Sequence, residues 1–143
     1  MKKLQRLNKI YRLIKLQEQD VLAEFKQTQQ VNTALKMQIN DLTQHGKSSS
    51  DKLMHQAITI NELNIVRTFN DKIELVLEQL NTKLSENEKN LMHVVDKIKD
   101  VRSRIKSIER LADRHQQIHD NELQKKIQHQ IDENINYTLS SQD

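Results

Sequence analysis

His115, His119 and Glu122 are the residues in this chain whose types and spacing come nearest to a chemical site. Positions three and four apart share one face of an α-helix, and two imidazoles with a carboxylate make a ligand set that zinc accepts. A hydrolytic zinc helix also carries a glutamate directly after its first histidine, and here that place holds Gln116. Six histidines in a Gln-rich sequence fall four apart by chance, so no metal is expected. Other enzyme chemistry fares no better. The absence of cysteine removes a thiol nucleophile, a thiolate metal site and any disulfide, and fits a reducing compartment. A chain with one glycine has no Gly-rich phosphate loop, and nothing implies a concave pocket in which a carboxylate pair would work. The reading is a non-enzymatic protein without cofactor or small-molecule substrate.

The elements that hold these residues follow from composition. Only 35% of the 143 residues are hydrophobic, there is no Trp, and Phe and Tyr number two each, too little for an ordinary globular core. The chain has no Pro to punctuate turns, while Gln, Lys, Glu and Leu favour helix, so long helices remain. No apolar run reaches the roughly 20 residues that span a bilayer, so no membrane insertion is expected.

Stepping alternately by three and four residues from Leu4 gives Leu4, Leu7, Tyr11, Ile14, Glu18, Val21, Phe25, Thr28, Asn32, Leu35, Ile39 and Leu42, mostly apolar. That is the register of a heptad repeat, which buries one stripe against a partner helix. From Leu63 the same rule yields Val66, Asn70, Ile73, Leu77, Leu80, Leu84, Asn87, Leu91, Val94, Ile98, Val101, Ile105 and Ile108, with Asn70 and Asn87 as polar residues that fix register. Between the repeats, His45 to Asp51 hold the only Gly and a Ser cluster, which read as a helix end and turn. A second helix start is offered by Thr59 with Glu62 three residues on, a capping box.

The expected fold is therefore all-α: a single coiled-coil domain of two long unequal helices forming an antiparallel hairpin. Helix 1 is placed at about 2–44, the hinge at 45–58, helix 2 at 59–138 and a polar tail at 139–143. Beyond Ile108, Leu111 and Ile118 are expected to hold a stripe, followed by Leu123, Ile127, Ile131 and Ile135 every four residues on an arm with no internal partner.

Charge adds a second feature. Helix dipoles favour acids in the first turn, yet Lys2, Lys3, Arg6, Lys9, Arg12 and Lys15 precede the first acid, Glu18. An antiparallel hairpin returns a second basic group to that end, Lys97, Lys99, Arg102, Arg104, Lys106, Arg110 and Arg114, diluted by Asp100, Glu109 and Asp113. Together they suggest a tip suited to an acidic surface such as the mouth of a protein ring, against the plainer reading of solvated outer positions. Nucleic acid is disfavoured: net charge is only +3 and no aromatic residues interleave with the basic ones.

Two unequal helices, a Gly46-Lys47-Ser48 hinge, the run Leu63, Ile65, Val66 and Arg67, and a closing polar stretch from Arg114 to Glu133 with Glu122, Gln124, Lys125, Lys126 and Asp132 resemble the FliJ, YscO and SpaM group. These are the central stalk proteins of flagellar and injectisome type III export. The resemblance implies a stalk in the pore of a hexameric export ATPase, bridging it to the export gate at the cytoplasmic base of the apparatus, with secretion chaperones as further partners. Carried over, Lys2, Lys3, Arg6, Lys9, Arg110, Arg114, Ile118, Leu123, Lys125 and Lys126 would meet the ATPase, and Arg67 and Phe69 the gate. The scarcity of aromatics leans toward an injectisome paralogue. The rival reading is a coiled-coil tether or homodimeric adaptor joined through the stripe from Leu111 to Ile135.

Overall fold

A computed structural model of the chain describes residues 2–55 and 59–142. Two α-helices, α1 (Lys2–His55) and α2 (Ile60–Gln142), pack against each other as an antiparallel hairpin, and no strand occurs among the described residues. The heptad stripes explain the pairing. All twelve stripe residues of α1 from Leu4 to Leu42 are half-buried while their neighbours on the outer face are exposed, the signature of a single seam. On α2 the stripe is covered from Val66 to Ile108, but Leu63 stays 39% exposed, so the expected seam begins one position late.

The helices form two units. In the unit Asp20–Ile98, Ile73 and Val94 are the enclosed residues, each contributing on the order of 2 kcal/mol through lost water contact. Asn87 donates its side-chain amide to the Thr28 carbonyl 3.2 Å away, and Lys97 Nζ lies 3.5 Å from Glu24 Oε1, both pairs antiparallel in register. Asn70 is half-buried as well, but its Oδ1, like that of Asn32, is shut off from solvent without a donor.

The hinge expected at 45–58 needs correction. The first helix does not end near Gln44: α1 runs through Gly46 and the serines to His55, and Gly46 does not adopt positive φ. One glycine costs a helix only about 1 kcal/mol, less than the seam returns when Gly46 continues the register from Leu42 and faces Ile73. Expected hinge residues 56–58 lie outside the described residues. The second start is settled by capping: Thr59 Oγ1 accepts from the Glu62 amide at 3.3 Å, and the Leu63 amide donates to the Thr59 carbonyl at 3.0 Å. The helix then continues to Gln142, absorbing most of the expected tail.

In the unit Met1–Gln19 with Lys99–Asp143, Val101 and Ile105 are enclosed. Past Ile108 the heptad continues inward, beside the stripe expected from Leu111 and Ile118. It proceeds through Ala112, His115 and His119, all half-buried, while Leu111 and Ile118 are turned outward at 45% and 47% exposure. Register outweighs apolarity here because a helix already docked at Val101 and Ile105 keeps the same face inward. From Asn121 to Ser141 every residue is exposed.

Candidate interaction surfaces

The N-terminal turn of α1 is seated by Leu4 and Leu7, which fill seam positions and leave Lys2, Lys3, Arg6 and Lys9 exposed. Lys2, Lys3 and Leu4 line a shallow depression with His115, Ile118, His119 and Glu122 of α2. The two histidines are therefore wall residues of a helix junction, and among the described residues no group of three acidic, His or Cys side chains is placed to hold a metal ion. One turn further along α1, Tyr11 donates to Glu109 Oε1 at 3.4 Å and Lys15 Nζ lies 5.6 Å from the Tyr11 ring centre.

Internal pairing divides the basic residues into two sets. Arg102 lies 3.7 Å from Glu18, which also faces Lys15 at 3.8 Å, and Arg104 lies 3.1 Å from Asp100. Lys97 belongs to the other unit, where Glu24 holds it. Arg102 and Lys97 thus bridge α2 to α1, pairs that sequence spacing alone did not reveal because the partners are far apart along the chain, whereas Lys15 and Arg104 pair within their own helices. Among the described residues no carboxylate stands within ion-pair distance of Lys2, Lys3, Arg6, Lys9, Arg12, Arg110 or Arg114. Uncompensated positive charge thus concentrates at the start of α1, while on the stretch of α2 in the same unit Arg110 and Arg114 alternate with Glu109 and Asp113.

On the distal stretch Ile118, Leu123, Lys125 and Lys126 are all exposed, as are Ile127, Ile131, Ile135 and Leu139, the last a continuation of the stripe that the sequence reading passed over. In the other unit Arg67 and Phe69 are exposed, and Phe69 lines a shallow surface patch with Asn64, Ile65, Thr68 and Lys72. The exposed Ile60, Leu63 and Ile65 extend the apolar character of this first part of α2.

A helical hairpin that offers long exposed helix faces and bare charge is built for contact with other proteins, and no helix among the described residues is long and apolar enough to cross a membrane. The chain belongs to the family of flagellar FliJ proteins, whose model matches residues 1–142. It is accordingly a non-catalytic component of the flagellar protein-export apparatus. The match is to the flagellar family, and nothing in it singles out the YscO or SpaM type toward which the scarcity of aromatics leaned. No curated protein and no solved structure matches the chain.

Proposed function

We propose that this protein is the central stalk of the export machinery, binding a hexameric export ATPase through its helical termini and linking that ring to the export gate. The observation that carries the reading is the uncompensated charge of Lys2, Lys3, Arg6 and Lys9, joined in one unit by Arg110 and Arg114 and by the bare helix bearing Ile118, Leu123, Lys125 and Lys126. Exposed bases without internal partners gain most from an acidic pore, whereas bases already paired have less to offer. The gate contact falls to Arg67 and Phe69, where exposed apolar surface lies beside a cation. Secretion chaperones are further partners.

Co-purification with the neighbouring export ATPase tests the placement. Reversing Lys2, Lys3, Arg6 and Lys9 to Glu should weaken retention on the ring and its ATPase stimulation, with helix content by circular dichroism unchanged. Undiminished stimulation by that variant rejects the ATPase placement. Phe69→Ala should reduce retention of the gate protein and leave the ATPase contact intact.

A further inference from the structure

The outer face of the first turns of α1 is both basic and apolar, and we infer that it docks on an anionic lipid surface. At about 100° per residue, Lys2, Arg6, Lys9, Ile10, Leu13 and Leu16 fall within an arc of about 120° centred on Leu13, outside the seam of Leu4, Leu7, Tyr11 and Ile14. No other residue between Lys2 and Leu16 falls in that arc, and all six are exposed. Lys3 and Arg12 border it.

Outer positions of a two-helix seam are ordinarily polar because they meet water. Here Leu13 and Leu16 are 61% and 57% exposed, with Ile10 at 44% beside them. Elsewhere among the described residues of α1, the exposed large apolar side chains are Val31 and Met37, which stand apart from each other. Among the described residues no carboxylate lies within ion-pair distance of Lys2, Arg6 or Lys9, and the first acid on the arc is Asp20, beyond its last leucine.

Anionic headgroups complement these bases, whose long stems let the charges stay at the phosphates while Ile10, Leu13 and Leu16 enter the acyl boundary. The face is one convex helix surface, which a bilayer encloses without matched shape, so lipid is favoured over a folded acidic partner. The contact is peripheral, since no helix among the described residues is long and apolar enough to cross a membrane. Bases outnumber acids in the unit that bears the face, and acids outnumber bases in the other, so attraction draws this unit to the surface. The stalk reading uses the bases but leaves Ile10, Leu13 and Leu16 idle, and lipid docking does not rest on it.

Flotation of the full-length chain with phosphatidylcholine vesicles, with and without phosphatidylglycerol and with no other protein, tests it. The wild type should float with the anionic vesicles alone and be released as salt rises. I10Q/L13Q/L16Q keeps every charge and every seam residue, so helix content by circular dichroism should hold while vesicle affinity falls roughly tenfold or more. I131Q/I135Q, which removes exposed apolar residues from the distal helix, should float like the wild type. Equal flotation with neutral vesicles, no flotation of the wild type, full flotation of I10Q/L13Q/L16Q, or an equal loss in I131Q/I135Q overturns the inference. Retention on immobilised polyglutamate without flotation on anionic vesicles assigns the face to an acidic protein and overturns it too. Because no ATPase is present, each of these failures leaves the stalk reading to its own test.

Discussion

The Glu18 carboxylate occupies a seam position of α1 with its side chain only 18% exposed, and the Arg102 guanidinium of α2 reaches it at 3.7 Å. An acid is tolerated in an otherwise apolar stripe because two bases, Arg102 and Lys15, face it from both helices. The charge thus marks register, since a slip of one turn would take Arg102 away and leave the half-buried Glu18 with Lys15 of its own helix alone.

Glu18→Lys should accordingly lower the thermal midpoint, by about 1–2 kcal/mol in stability, since it sets a third base beside Lys15 and Arg102. Glu18→Leu should be at least as stable as the wild type, because an apolar residue fits the seam without a partner. Thermal unfolding followed by circular dichroism measures both. A stable Glu18→Lys variant would remove this contact from the forces that hold the unit.

Gly46→Ala distinguishes a hinge from a helix interior. A β-carbon there would meet only Ile73 Cγ2, at an ordinary 3.8 Å, and the glycine does not adopt positive φ. Alanine should therefore raise stability by about 1 kcal/mol through helix propensity. A drop in the urea midpoint would restore the view that the chain turns at this residue.

The seam asparagines should separate by their partners. Asn70→Leu removes a carbonyl oxygen that has no donor, and should stabilise by about 1–2 kcal/mol. Asn87→Ala loses the bond to the Thr28 carbonyl and leaves a gap, so it should destabilise by about 1 kcal/mol. Equal effects of the two substitutions in urea titration would contradict this assignment.

Ending the chain after Asp120 should leave the unfolding midpoint nearly unchanged, because every residue from Asn121 to Ser141 is exposed and none supports the seam. Helix content should fall in proportion to the residues removed. A fall in the midpoint of many degrees would show that the distal helix contributes to the folded hairpin.

The hairpin itself was legible because a heptad register needs only the identity of every third or fourth residue, and Leu4 to Leu42 and Val66 to Ile108 kept it nearly without error. Three things were hidden. The end of α1 was misplaced because a glycine and three serines weaken a helix in isolation, while the opposing Ile73 is invisible in the local sequence. Leu111 and Ile118 were read as the start of a bare stripe and are exposed, but the inward register that continues beside them through Ala112, His115 and His119 went unread because those residues are small or polar. Among the candidate contact residues, spacing identified the basic groups but not the division between those spent on Glu18, Glu24 and Asp100 and those left bare. That division depends on pairs up to 84 residues apart.

The narrowness of the seam has an evolutionary consequence. Among the described residues only Ile73, Val94, Val101 and Ile105 are nearly enclosed, and the outward positions touch little but water. Such an interior restricts a small minority of sites, so most of the surface is open to substitution without loss of shape. Lineages can then rewrite whom the hairpin meets far faster than they rewrite the hairpin.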